Sequence, residues 1–224
     1  MEPVAEWTAG AQRDFEAWAR RVAALPEVDR VEMETVERDA QIAHTGRAEL
    51  PRYVALLSVW LDDARTLGPI LAAAAEHGVE RVIPFEVEQC TVRHDFPRTW
   101  ADGESTPGLK KSTFWQANPD FGPGWRERYE RHAAIVRDHH SSAWQYRQNL
   151  LSTHDDPGGW NAVSELWWPT PAGLLEHFYN SPESQRAVWD DTVFVGRAMP
   201  IVTAHTILRS VPALDGSGDA RSTS

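Results

Sequence analysis

Hydrophobic positions along this chain change period several times, and each change marks an element. In residues 11–25, Phe15, Trp18, Ala19 and Val22 recur at the spacing of one buried helical face, and Pro26 stops the run. Residues 28–37 alternate Val31, Met33 and Thr35 with Glu32 and Glu34, the period of a strand. The alternation lapses after Glu37, and residues 38–50 read as a polar loop. Residues 53–61 are an apolar run suited to a central strand. Asp62 and Asp63 then open a helix through His77, with Gly78 as its C-terminal cap. Residues 81–93 form a closing strand.

Residues 94–111 contain Pro97, Gly103, Pro107 and Gly108 without periodicity and read as a linker. The plan then repeats. Strands are expected at 112–117, 143–151, 162–168 and 197–209. Helices are expected at 124–140, 171–179 and 182–193, with a turn cluster at 154–159. The second half is therefore β-α-β-β-α-β, the split βαβ or ferredoxin-like order. The first half shows α-β-β-α-β, its opening strand either missing or the short piece at 5–8.

The closing strands of the halves match in detail. Arg81, Pro84 and Arg93 fall at the same offsets as Arg197, Pro200 and Arg209, which marks an internal repeat. His205 in the second copy corresponds to Gln89 in the first, so one working half and one supporting half are expected. The fold class is α+β, two tandem ferredoxin-like repeats forming an intrachain dimeric α+β barrel. Its parts are a degenerate repeat at 1–93, the linker at 94–111, the second repeat at 112–209 and a disordered tail at 210–224. A sheet with helices on one face must bury its other face, and two copies in one chain satisfy each other. This makes an intrachain pseudo-dimer; assembly of whole chains into a homodimer is left open.

Composition narrows the function classes. The 224 residues are 42% hydrophobic and 25% charged, as in globular domains. A net charge of -11 argues against nucleic acid and anionic membranes as partners. One cysteine, Cys90, rules out an intramolecular disulfide. The acidic start has no signal-peptide pattern, and no apolar run is long enough to span a bilayer, so a cytoplasmic location is expected. There is no phosphate-cradling glycine loop and no Gly-x-Ser-x-Gly nucleophile elbow. The unusual number is eleven tryptophans, which line ligand pockets as well as cores.

Several second-half segments occur together in an informative order. These are Trp125 to Val136 with Tyr129 and His132, then Trp144-Gln145-Tyr146-Arg147-Gln148-Asn149 and Glu165-Leu166-Trp167. Ser181-Pro182-Glu183 and a final strand carrying His205 follow. The series resembles the EthD family over roughly residues 112–209, departing from its usual proline at Ala134. The resemblance implies the dimeric α+β barrel superfamily, whose members include cofactor-independent monooxygenases, cyclases, dehydratases, isomerases and some haem proteins.

His132 shares a helical stripe with Trp125, Tyr129, Val136 and His139 that should face the sheet. Its side chain titrates near pH ~6.5, which suits a general acid or base; the bland alternative is a buried histidine bonded to a backbone carbonyl. His205 shares a strand face with Thr203 and Ile207, and would meet His132 in one pocket if that face meets the helices. Tyr146 is the candidate donor to a developing oxyanion. These three are the catalytic candidates. Tyr129, Trp125, His139, Glu165 and Trp167 are the substrate-binding candidates, Glu165 also to orient a histidine. No metal site is expected, since His132 and His139 are two helical turns apart. The expected activity is cofactor-independent lyase, dehydratase, isomerase or cyclase chemistry on a hydrophobic aromatic or polycyclic molecule. The alternatives are a cofactor-free monooxygenase, a haem or small-ligand binding protein, and a non-catalytic accessory protein.

Overall fold

A computed structural model describes residues 7–48, 51–61, 67–79, 82–95, 98–152 and 158–210. The element order is α1 (Ala9–Ala23), β1 (Val28–Val36), α2 (Arg38–Thr45), β2 (Ala55–Leu61), α3 (Leu67–Glu76) and β3 (Val87–His94). The second half continues with β4 (Leu109–Ala117), α4 (Trp125–His139), β5 (Gln145–Leu151), β6 (Ala162–Trp168), α5 (Pro171–Leu175), α6 (Pro182–Asp191) and β7 (Val195–Arg209). All seven strands join one sheet in the order β2-β1-β7-β4-β6-β5-β3, every pair antiparallel.

Within that order β7-β4-β6-β5 is the ferredoxin-like arrangement of the second half. The first half flanks it on both sides: β1 pairs with β7, and β3 pairs with β5. The halves thus join edge to edge into a single curled sheet. Glu34 lies opposite His205 at one seam and Gln89 opposite Asn149 at the other, so His205 and Gln89 are equivalent positions, as are Glu34 and Asn149. Two residues back along the same strands, Glu32 corresponds to Arg147.

Curvature follows from what the inward side chains touch. β1 and β5 are separated by three strands, about 19 Å across a flat sheet at roughly 4.8 Å per strand. Yet Arg147 on β5 grips Glu32 on β1 with Nη2–Oε1 at 2.7 Å and Nη1–Oε2 at 2.8 Å. Only a sheet rolled into most of a barrel brings these groups together. Lys110 of β4 adds bonds at 2.6 Å to Glu34 and 2.6 Å to Glu165, and Asn149 donates to Glu165 at 2.9 Å. Burial opposes every one of these charges, but Arg147, Lys110 and His205 hold the Glu32 carboxyl well below the usual range. Against the same burial, Glu165, Glu34 and Glu32 push Lys110 up. One end of this ionic layer is plugged by the rings of Tyr53, Phe85, Phe114 and Trp160. At the other end Trp167, Trp100 and Trp144 pack edge and face.

The outer faces carry the helices. Thr8 caps α1 by accepting from Ala11 N–H, and Phe15, Trp18, Ala19 and Val22 bury against Val31, Met33, Ile70 and Ala74. Trp18 Nε1 donates to the Ile70 carbonyl at 3.0 Å, tying α1 to α3. On the second half α4 and α6 cover the sheet.

Several elements differ from the sequence reading. Residues 38–45, expected as loop, form α2, because Gln41 turns inward to bond both Pro200 O and Val202 N of β7. α5 ends at Leu175 rather than 179. β3 begins at Val87; residues 82–86 of the expected strand are irregular. β4 begins at Leu109, inside the expected linker. Gly108 permits that start, with φ at 76° and its Cα so close to Trp168 O that an added Cβ would lie 1.9 Å away. The tail from 211, residues 5–6 of the short opening piece, residues 62–66 of the expected 62–77 helix, residue 81 of the expected closing strand and part of the 154–159 turn lie outside the described residues; Cys90 is exposed on β3.

Replacing Arg147 with alanine is expected to lower unfolding free energy by roughly 3–5 kcal/mol, because it leaves Glu32 charged and buried. A Glu32→Leu, Arg147→Met double variant should recover much of that loss. Urea unfolding of the three proteins measures both.

Candidate functional site

Strand parity divides the candidate residues between two sides of the sheet. On β5 Tyr146 and Gln148 face the helices while Gln145, Arg147 and Asn149 face the barrel interior. β4 alternates in the same way, Lys111, Thr113 and Trp115 outward and Lys110 and Ser112 inward. A cavity of about 300 Å³ lies on the outward side, between β4, β5, β6 and the helices α4 and α6. Its wall includes Lys111, Thr113, Tyr129, His132, Tyr146 and Ser164, closed by Trp115, Phe178, Tyr179 and Trp189. Cross-strand register sets these in rows, Thr113 beside Ser164 beside Gln148, and Lys111 beside Leu166 beside Tyr146.

His132 sits on the buried stripe of α4 with Tyr129 and Val136. Its Nδ1 meets Asp191 Oδ2 at 2.7 Å, and Arg128 holds the other Asp191 oxygen. The carboxylate fixes the tautomer, with the proton on Nδ1 and a lone pair on Nε2. Burial lowers the pKa of His132; the Asp191 carboxylate acts against that and Arg128 adds to it. Neutral imidazole backed by a buried carboxylate is the arrangement of a general base. Tyr129 is fully buried, packs 5.9 Å from Trp125, and its hydroxyl has no hydrogen-bond partner among the described residues. Gln148 donates to Tyr129 O at 2.6 Å and to Tyr146 Oη at 3.1 Å, which leaves the Tyr146 proton available to donate. Burial pushes both tyrosine pKa values up, so both stay protonated donors.

The cavity therefore gathers Tyr129, His132 and Tyr146, with Trp125 behind Tyr129. His139 lies outside its wall and bonds Ser184 of α6 at 3.0 Å. His205, Glu165 and Trp167 are on the opposite face of the sheet. There His205 Nε2 lies 3.3 Å from Glu32 and its ring packs 5.1 Å from Trp167. The condition for His205 and His132 to share a pocket is not met, because the odd-numbered positions of β7 point into the barrel. The carboxylate beside His132 is Asp191, not Glu165, whose oxygens are taken by Lys110 and Asn149.

Asp191 and Lys111 escaped the sequence reading. A carboxylate in the last turn of a helix opposes the helix dipole, and that was the available signal that Asp191 has a tertiary partner. Lys111 was masked by its placement in a linker. It lies half-buried on the cavity wall, its Nζ 4.1 Å above the Phe178 ring, and burial brings its pKa down to about 7. His140 closes the same corner, its Nδ1 bonded to Phe178 O, and burial pushes its pKa down to about 3. Among the described residues no three His, Cys, Asp or Glu side chains gather as metal ligands, and no helix is long and apolar enough to cross a membrane.

No family model matches the chain, and no curated protein does. The EthD resemblance thus reduces to its fold. Among solved structures, an anthrone oxidase-like protein aligns at a TM-score of 0.58 with 10% identity, covering 92% of this chain and 90% of that one. A protein from Lactobacillus acidophilus named as a candidate monooxygenase aligns at 0.52 with 9% identity, over 90% and 91% of the two chains. A third, from Fusobacterium nucleatum and likewise named, aligns at 0.52 with 8% identity, over 88% and 84%. At these identities the likeness shows the fold alone, the dimeric α+β barrel type.

Two titrations check the electrostatics. Asp191→Asn removes the group that raises the His132 pKa, so NMR titration of that imidazole should show a further fall. His140 is neutral when folded and titrates near 6.5 when unfolded. Its contribution is therefore complete above pH 6.5 and declines as pH falls from there toward about 3. In that window unfolding free energy should drop by up to about 1.4 kcal/mol per pH unit from this residue. His140→Gln should flatten the slope measured by urea unfolding.

Proposed function

We propose that this chain is a cofactor-independent oxygenase of a hydrophobic, electron-rich aromatic molecule, a phenol or anthrone-like compound. The observation that carries the reading is the His132–Asp191 pair on the wall of an aromatic-lined cavity, its imidazole Nε2 without a hydrogen-bond partner among the described residues. The names of the solved neighbours, two candidate monooxygenases and an anthrone oxidase-like protein, favour oxygenation over the lyase, dehydratase or isomerase chemistry that the same base would also serve. Fold alone does not choose among these reactions.

His132 Nε2 takes a proton from the activated carbon or hydroxyl of the substrate. The resulting anion is stabilised by hydrogen bonds from the Tyr146 and Tyr129 hydroxyls. It transfers an electron to dioxygen, the radical pair combines as a peroxide, and loss of water from a CH–OOH centre leaves a carbonyl. The balance is CH₂ plus O₂ giving C=O plus H₂O, with no external reductant. Trp115, Phe178, Tyr179 and Trp189 hold the rings and limit water. Haem is not part of this proposal: about 300 Å³ is at the small end of ligand sites.

The test is oxygen uptake by the purified, metal-free protein with anthrone as substrate. One dioxygen consumed per quinone formed is expected, and product formation without oxygen uptake would return the reading to lyase or isomerase chemistry. His132→Gln should lower turnover roughly 10²-fold or more. The wild-type rate should rise with pH and level off below the ordinary histidine range, since the base must be neutral and its pKa is lowered. A profile of unchanged shape in His132→Gln would assign the ionisation to another group.

A further inference from the structure

We infer that Lys111, with Thr113 and Tyr129, forms an oxyanion-binding end to the cavity, so that the molecule held there is an aromatic bearing an ionised oxygen, a carboxylate or phenolate. The inference extends the aromatic-substrate reading by naming the ionised group.

The first support is what Lys111 lacks. The fully buried cations of the second half, among the described residues, are matched: Lys110 with Glu34 and Glu165, Arg147 with Glu32. Among the described residues Lys111 has no carboxylate in ion-pair range, only the face of Phe178 at 4.1 Å. An ammonium in such surroundings costs free energy unless an anion joins it. Burial alone lowers its pKa to about 7, the response of a cation missing its counter-ion. A chain of net charge -11 that leaves this cation unmatched at a cavity wall reserves it for something outside the chain.

The second support is independent of charge. The hydroxyls of Thr113 and Tyr129 are both buried and both without a hydrogen-bond partner among the described residues, and both residues belong to the same wall as Lys111. Buried polar groups are nearly always paired, so two unpaired hydroxyls in one cavity mark a place for a ligand oxygen. Thr113 lies two residues from Lys111 on the same face of β4, about 7 Å along the strand. His132, one turn after Tyr129 on α4, faces Lys111 and Thr113 of β4 from the helix side of the cavity, so the cation and the base address one bound ring system from opposite walls.

The probes are 2-naphthoate and its neutral isostere 2-naphthamide, titrated against wild type and Lys111→Met with quenching of tryptophan fluorescence as the signal. Wild type is expected to bind the anion at least tenfold more tightly than the amide. Lys111→Met should lose that preference while holding the amide within about twofold. The variant should melt no lower than wild type, because an unmatched cation is replaced by an apolar side chain of similar length. Equal affinity of the wild type for both probes would overturn the inference, as would a parallel loss of both in Lys111→Met. Binding of the amide without the anion leaves the aromatic cavity standing and removes its anion-binding end. Binding of neither overturns this inference and the aromatic-substrate reading together, whereas oxygen uptake is read separately and does not depend on either probe.

Discussion

The bidentate contact between Arg147 and Glu32 is the constraint on which the architecture turns. It joins the second half to the first through the barrel interior, not along the seams where the strands pair. A buried ion pair is no certain gain in stability, since desolvating two charges offsets most of their attraction. What it does supply is registry. Glu32, Lys110, Glu165 and Asn149 each occupy one inward position on a different strand, and the network closes only if β1, β4, β5 and β6 are all in register. A one-residue slip in any of them would drive a charge to the helix side and leave its partners unmatched.

That same parity builds the cavity. Because Lys110 must point inward to reach Glu34, Lys111 must point outward toward α4 and α6. Arg147 inward fixes Tyr146 and Gln148 outward, where Gln148 pins both Tyr129 and Tyr146. The rigid interior thus positions the polar groups of the cavity, while α4 and α6 bring His132 and Asp191 to it from above. Loss of Arg147 would disturb the outer site without touching it.

Much of the architecture was legible because it rests on local periodicity. The boundaries of β6, at Ala162 and Trp168, can be read directly from its turn signals and apolar run. The duplication was visible in the Arg-Pro-Arg spacing, although residues 82–86 of the first copy do not form strand. α2 was not legible, since its only buried side chain is a glutamine whose partners are backbone groups some 160 positions away. For the site, the helical stripe of α4 pointed to His132 and Tyr129, and strand alternation pointed to Tyr146. Alternation alone does not say which face meets helices and which lines a barrel, and so groups His205, Glu165 and Trp167 with His132 although a sheet separates them. Asp191 and Lys111 required tertiary information: one is defined by the helix it packs on, the other by the absence of a partner.

The equivalence of Glu32 and Arg147 has an evolutionary consequence. Where two identical protomers meet about a true twofold axis, each residue near the axis faces its own copy, so glutamate would confront glutamate and arginine would confront arginine. Opposite charges at equivalent positions become attainable only after the halves are fused and free to accept different substitutions. Once fixed, that difference is a ratchet. Neither half can return to self-association without bringing two like charges together in the interior, so this chain can no longer be divided into a homodimer of either of its own repeats.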